Sequence, residues 1–335
     1  MRLLVLGGTS FVGRHIVASA LASEHRVTVF NRGLTNPNLF QSVQRLRGDR
    51  SNSELRELEH GEWDAVIDVS ALLPRMVREA AGLLADRVGL YAFISTPSTY
   101  RDLDSDRIDE DAPVVVLDDP ASEVVNSTTY GGLKALCESE LRQAFPDTHL
   151  IVRACTMAGP HDNTDRFTYW VRRLARGTPV LAPSRPDQPV QLIHARDHAN
   201  FVVELVASST TGVFNAAGPD QPVTFADMLQ ACADAAGTSS RVVWAPQAFL
   251  DEHRLRLPLE ILPSERHDGL YRVANDRARA AGLVNRPLVG TASEVLQWDQ
   301  CREQKRLRVT RGVSPKREAS LLEILEGPLS SFGRR

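Results

Sequence analysis

Five short, almost wholly apolar runs recur through the first 155 residues: "RLLVLG", "RVTVFN", "DAVIDVSAL", "LYAFIST" and "THLIVRA". Helix-patterned stretches separate them, including "FVGRHIVASALAS", "PRMVREAAGLLADR" and "TYGGLKALCESELRQAF". A strand that is apolar along its whole length must be covered on both faces. Its alternation with helices therefore predicts a parallel sheet sandwiched between helical layers, an α/β fold. Residues 101–123, "RDLDSDRIDEDAPVVVLDDPASE", interrupt the pattern. They are acidic and proline-punctuated, and we read them as a loop over the sheet edge, more a solvated loop than a lid. After Gly159 the period changes. "TDRFTYWVRRLARG" places Phe167, Trp170, Val171 and Leu174 on one helical stripe ending at Gly177. "VQLIHARDHANFVVELVASSTTGVFNAAG" reads as a return to the sheet. The expected division is residues 1–152 with 187–220 as one domain, and 153–186 with 221–335 as a smaller, mostly helical second one.

With 335 residues the chain can bury a large core. A net charge of −3 excludes a global field that would gather nucleic acid. Cys137, Cys155, Cys232 and Cys301 lack metal or redox spacing, so reduced thiols in a cytoplasm are expected. The first apolar run begins at Arg2, which we read as leaving no room for a signal peptide. No run has the roughly 20 apolar residues of a membrane span.

The first loop is "LGGTSFVGRH". Gly7, Ser10 and Gly13 fill the three positions of a G-x-x-G-x-x-G turn, with serine in the middle. The first glycine makes a tight turn off the strand, and the last lets the helix pack closely. Thr9, Ser10, Phe11 and Val12 lie between them, where helix N–H groups would face a pyrophosphate. At the end of "RVTVFN", Asn31 stands where an acid would hold ribose hydroxyls. Without that acid a 2′-phosphate meets no like charge, and Arg32 can pair with it. NADP is therefore favoured, with NAD open. In "RGDR", Asp49 can accept from an adenine amino group or merely cap a turn, and Arg50 can lie over the ring.

Chemistry points to a second cluster. Tyr130 and Lys134 lie four residues apart on a helix and share a face. An ammonium beside a phenol favours the phenolate, which makes tyrosine a usable proton carrier near neutrality. Thr96 falls just past the strand "YAFIS", at the carboxyl edge where ligands bind open α/β sheets. Its hydroxyl could hold a substrate oxygen, with Ser95 and then Ser98 as alternatives. His161 could face substrate or cap the next helix. Phe167 and Tyr169 could wall an apolar pocket. Asp197 is expected to cap a helix, and His194 and His198 are given no chemistry. No cluster suggests a metal.

Taken together, "GGTSFVG", "FNRG", "GDR", "AFISTPSTY", "YGGLK" and "RACTMAGPHD" resemble the short-chain dehydrogenase/reductase superfamily. The nearest branch is the extended and atypical-extended group, the NAD-dependent epimerase/dehydratase family. The resemblance is good from Met1 to about Gly218 and looser beyond. It implies a Rossmann-type doubly wound parallel sheet with a C-terminal substrate domain. It also implies that Thr96, Tyr130 and Lys134 are the Ser/Thr–Tyr–Lys set, and that Val69, Ser70 and Ala71 line the cofactor. Two departures bear on the substrate. Thr156 stands where nucleotide-sugar enzymes carry Asn, and Val190 where they tend to carry Arg, so a nucleotide diphosphate would lack partners.

The leading expectation is an NADPH-dependent reductase of a carbonyl or imine on a small organic substrate. The alternatives are a sugar (nucleotide) epimerase or dehydratase with retained NAD, and a non-catalytic dinucleotide-sensing or RNA-binding protein. Some atypical relatives, the chloroplast stem-loop-binding proteins, bind RNA. The basic stretch 302–317 lacks the aromatic interleaving of single-strand platforms, so nucleic acid is disfavoured. Relatives dimerise through helices matching "PRMVREAAGLLADR" and "YGGLKALCESELRQAF", and both have apolar surface enough for a homodimer.

Overall fold

The computed structural model describes residues 1–261, 268–303 and 306–327. Residues 1–157, 191–220 and 267–285 form one compact unit, and 158–190, 221–266 and 286–335 a second. The sequence pattern placed the first break at 152/153 and assigned everything after 220 to the second unit. The structure returns residues 268–285 to the first. Ile108 bridges to Val273, Asn215 Nδ2 donates to the Ala274 carbonyl, and Ala278 and Leu283 enter the main core.

In the first unit the sheet strands are β1 (Arg2–Leu6), β2 (Arg26–Asn31), β3 (Gln44–Arg47), β4 (Ala65–Asp68), β5 (Leu90–Ser95), β6 (His149–Ala154) and β7 (Gly212–Ala216). They lie in the order β7-β6-β5-β4-β1-β2-β3, all parallel. Leu192–His194, expected to rejoin this sheet, stays outside it. The longer helices are α1 (Phe11–Ala22), α2 (Pro74–Leu84), α3 (Tyr130–Ala144) and α4 (Ala195–Ala207).

Alternation along the strands builds two cores. Leu3, Val5, Val27, Val29 and Ile67 pack beneath Ile16, Val17 and Val202 of α1 and α4. Leu4, Leu6, Val66, Tyr91 and Phe93 pack beneath Val77, Ala80, Cys137 and Leu141 of α2 and α3. Truncating a fully buried leucine such as Leu4 to alanine would cost about 2–5 kcal/mol. Strand order reverses between β1 and β4, with β2 and β3 added on one side of β1 and β4 to β7 on the other, and such a switch point leaves a crevice at the carboxyl ends of the strands.

The acidic insert is largely exposed, as a solvated loop would be, but it is anchored near its middle. Ile108 is buried, and the buried Glu110 carboxylate accepts from the Asn215 backbone N–H at 2.9 Å. Glu110 thus ties the middle of the insert to β7 and Ile108 ties it to Val273, which the insert's overall acidity concealed.

The second unit is mostly helical. Arg166–Leu174 buries Phe167, Trp170, Val171 and Leu174, and Trp170 meets Phe225 edge-on at 5.3 Å. The helix Phe225–Ala236 opens with a Thr224–Asp227 capping box and ends at Gly237, with φ +64°. Phe167 and Tyr169 are core residues here, 1% and 6% exposed, rather than pocket walls.

Candidate cofactor and catalytic site

The glycine turn leaves β1 at the switch point. Gly7 has φ +118°, and a Cβ there would stand 2.5 Å from Val69 Cγ2. Side chains are thereby excluded where the turn passes the end of β4. Gly13 is closed by backbone: its Cβ would lie 2.6 Å from the Gly8 nitrogen. Ser10 occupies the N-cap of α1 and is exposed, but its side chain makes no capping bond. The first-turn N–H groups of α1, beside Phe11 and Val12, are therefore left without a side-chain cap, as an anion site at a helix N-terminus requires.

Two asparagines stitch this turn in place. Asn31 Nδ2 donates to the Gly7 carbonyl at 3.0 Å, and Asn31 Oδ1 accepts from the Gly33 N–H at 2.8 Å. One bond at each end of its amide makes Asn31 a positioning residue for the turn. Asn36, which sequence reasoning missed, donates to the carbonyl of the buried Thr9 at 2.7 Å. The side chain of Arg32 is 57% exposed and stands 4.0 Å from Asp49. Asp49 caps the short turn Arg50–Asn52 through the Ser51 N–H and hydroxyl, and these bonds hold its carboxyl below the usual range.

Arg50 does not lie where an adenine ring could stack on it. It is 7% exposed, and its guanidinium makes a fork with Asp68 at 2.7 and 2.8 Å. The reason is charge. Asp68 ends the apolar strand β4 fully buried, and a buried carboxylate requires a partner. Burial opposes ionisation of Asp68, but Arg50 overrides it and keeps the carboxyl below its ordinary range. A charged residue inside the run "AVIDV" is the signal that could have disclosed this pair.

Lys134 is buried between the ends of β4 and β5. Its Nζ donates to the Ala71 carbonyl at 3.1 Å and the Ile94 carbonyl at 2.7 Å, and lies 3.8 Å from the Phe93 ring centre. Burial brings its pKa down to about 8. Tyr130, one helical turn earlier, begins α3 half-buried. A Cβ on Gly131 would lie 2.0 Å from the Ser98 carbonyl oxygen, so the first turn of α3 sits directly on the loop after β5. In that loop the half-buried Thr96 accepts from the Ser98 N–H at 3.2 Å and donates to the Ser98 hydroxyl at 3.3 Å. Ser95, the alternative hydroxyl, is buried and donates to Glu138 at 2.6 Å. Glu138 also forks onto Arg153 at 2.9 and 2.6 Å, both residues fully enclosed. The Thr96 loop, the first turn of α3 and the Lys134 ammonium thus come together at the carboxyl edge, near Val69, the exposed Ser70 and the buried Ala71.

Other residues fall differently. Thr156 follows β6 half-buried. His161 belongs to the second unit, with φ +69° and its ring edge-on to Trp298 at 5.3 Å. Val190 is buried in that unit. His194, not Asp197, caps α4 by accepting from the Arg196 N–H. Within the basic stretch, Gln304 and Lys305 lie outside the described residues. Among the described residues no His/Cys/Asp/Glu group could hold a metal, no cysteine is paired, and no helix is long and apolar enough to cross a membrane.

A doubly wound parallel sheet with a glycine turn at its switch point and a Tyr/Lys helix at its carboxyl edge is the fold of the short-chain dehydrogenase/reductase type. The chain belongs to the NAD dependent epimerase/dehydratase family, which matches residues 3–217. Among curated proteins it is 25% identical over 259 residues to the chloroplast stem-loop binding protein of 41 kDa b of Arabidopsis thaliana, a match spanning 70% of this chain and 63% of that relative. Among solved structures, UDP-glucuronic acid 4-epimerase from Bacillus cereus in complex with NAD aligns over 89% of this chain and 96% of its own, at 16% identity and TM-score 0.66. UDP-glucose 4-epimerase from Thermus thermophilus in complex with NAD aligns over 90% and 100%, at 19% identity and TM-score 0.64. dTDP-glucose 4,6-dehydratase from Bacillus anthracis in complex with NAD aligns over 90% and 97%, at 16% and 0.66. At these identities the structural likeness establishes the shared fold.

Proposed function

We propose that the protein is a nicotinamide-dinucleotide-dependent enzyme of the epimerase/dehydratase type, acting at a hydroxyl-bearing carbon of a sugar or sugar-like substrate. The observation that carries this reading is the placement of Lys134. Its Nζ is held at the ends of β4 and β5, one helical turn from Tyr130, whose helix rests on the Thr96 loop. The residues fit a dinucleotide. A cradle that any Cβ at Gly7 or Gly13 would fill leads to an uncapped helix start. Gly7, Thr9, Ser10, Phe11, Val12 and Gly13 would hold the pyrophosphate, Asp49 the adenine, and Val69, Ser70 and Ala71 the nicotinamide half. Bound there, the dinucleotide supplies hydride exchange with the reacting carbon. The Tyr130 phenol exchanges the proton of the reacting hydroxyl, the Thr96 hydroxyl holds its oxygen, and the Lys134 ammonium favours the phenolate.

Arg32 favours a second reading, an NADPH-dependent reductase of a small carbonyl or imine. It is an exposed cation beside a strand end without an acid, and Asn31 is already engaged with backbone. The side-chain replacements Thr156 and Val190 also speak for a substrate other than a nucleotide diphosphate.

One experiment separates these readings. Purified protein is denatured and its supernatant analysed for bound dinucleotide; the protein is then incubated with UDP- and dTDP-sugars, and with NADPH plus a carbonyl panel. Retained NAD with sugar interconversion and no net NADPH consumption supports the main reading, and stoichiometric NADPH oxidation supports the second. Undiminished turnover by Tyr130→Phe would remove the proton role in either. RNA binding without affinity for either dinucleotide would overturn both.

A further inference from the structure

The fork between Arg50 and Asp68 takes part in neither role that the glycine turn and the Tyr/Lys helix account for, yet it converges on the same point. Five donors meet on the Asp68 carboxylate. Oδ1 accepts from Arg50 at 2.7 Å, from the Ser70 N–H at 3.1 Å and from the Ala71 N–H at 3.2 Å. Oδ2 accepts from Arg50 at 2.8 Å and from the Tyr91 hydroxyl at 2.9 Å. Arg50 extends the grip, donating to the Ser70 hydroxyl at 3.2 Å and the Met76 carbonyl at 2.7 Å. The segment clamped in this way ends in the Ala71 carbonyl, one of the two acceptors of Lys134 Nζ.

We infer that Asp68 and Arg50 act as one positioning unit for Lys134: the pair locks the Ser70–Ala71 turn so that the Ala71 carbonyl fixes the Lys134 ammonium at the edge of the sheet. This rests on the proposed role of Lys134 beside the cofactor. The pair also acts on Lys134 by charge. Burial disfavours the ammonium and Arg50 adds to this, whereas Asp68 on β4 and Glu138 on α3 favour it; the Cys137 thiol facing it from α3 is pushed up to about 12 by its own burial and stays neutral. The two members of the pair therefore push the same proton in opposite directions, which a merely structural ion pair has no reason to show through cofactor binding.

Two measurements on the full chain test this. The first is hydrogen exchange of the amides of Ser70 and Ala71 in the unliganded protein. Lys134→Met leaves the fork intact but removes the far anchor, and exchange is expected to accelerate at least tenfold there, while the buried residues Leu3–Leu6 of β1 stay protected. Asp68→Asn is expected to do the same. The second is NADH affinity, by fluorescence titration, from pH 6 to 10. The wild-type titration is expected to break where Lys134 loses its proton. The break moves to lower pH in Asp68→Asn and to higher pH in Arg50→Gln, and vanishes in Lys134→Met. Unchanged exchange in Lys134→Met, or breaks displaced in the same direction by both fork variants, would overturn the inference. Failure to bind NADH at any pH would instead strike the cofactor reading, and the exchange measurement would still decide the coupling. If a fork variant does not fold, the Lys134→Met exchange result stands by itself.

Discussion

Replacing Gly13 by alanine tests the glycine turn most directly. The added Cβ would stand 2.6 Å from the Gly8 nitrogen, 2.9 Å from Gly8 Cα and 3.0 Å from Val69 Cγ2. The closest of these is about 0.8 Å short of ordinary contact, and two of the three atoms are backbone that cannot swing away. The start of α1 must therefore retreat from the turn. Overpacking of this kind costs about 1–3 kcal/mol of stability. Retreat also draws the first-turn N–H groups away from a bound pyrophosphate. Losing one charge-assisted hydrogen bond of about 2 kcal/mol weakens Kd roughly 30-fold. The assay is thermal unfolding with and without NAD or NADP, alongside NADH titration. At 100 times its Kd the dinucleotide stabilises wild type by about 2.7 kcal/mol, and at the same concentration stabilises the variant by only about 0.9 kcal/mol. Gly82→Ala in α2 is the control. A Cβ there meets nothing within 4 Å, so alanine should bind dinucleotide as wild type does and gain about 0.5–1 kcal/mol of stability. A folded Gly13→Ala protein with wild-type stability and unchanged Kd would refute the proposed geometry of the turn.

Three further outcomes are expected. Lys134 has its pKa lowered from 10.5 to about 8 by burial, so between those values the unfolded chain binds more protons and stability rises with pH; below 8 a penalty of about 3 kcal/mol remains in full. Denaturant unfolding of wild type against Lys134→Met should show that difference closing between pH 8 and 10.5, and a flat difference would contradict the burial of the ammonium. Glu138→Gln leaves the Arg153 charge enclosed and should cost about 3–5 kcal/mol in chemical denaturation, whereas Glu138→Gln with Arg153→Met should recover much of it; equal losses in the single and double variants would refute the pairing argument. Arg32→Glu should lower NADPH affinity at least tenfold, about 1.4 kcal/mol, while leaving NADH affinity within twofold, and parallel losses for both would exclude Arg32 as the discriminating residue.

Much of the first unit was legible because burial on both faces leaves a plain trace: β1, β2, β4, β5 and β6 are the five apolar runs. The glycine turn was legible because Gly7 and Gly13 are required by close backbone approach. Partnerships were harder to read. Arg50 looked like an adenine neighbour because its motif stands at a strand end, but the decisive fact is Asp68, eighteen residues later, in a strand it cannot occupy alone. Ser95 and Thr96 are chemically similar neighbours, and only the position of Glu138 shows which hydroxyl turns inward. The docking of Glu110 onto Asn215 joins residues more than a hundred apart, beyond the reach of periodicity. Segment 268–285 carries no period that tells which unit it joins; Ala278, Leu283 and the bridge from Ile108 decide that in three dimensions.

The stitch made by Asn31 has a consequence for how such a chain can change. Its amide ties the first loop to the end of the second strand, so altering it would disturb the scaffold itself. Arg32, the next residue, is largely exposed, with the Asp49 carboxylate 4.0 Å from its guanidinium. If Arg32 sets the choice of dinucleotide as proposed, architecture and cofactor preference are lodged in adjacent but separable side chains, and one surface substitution would retune the latter while the loop keeps its shape.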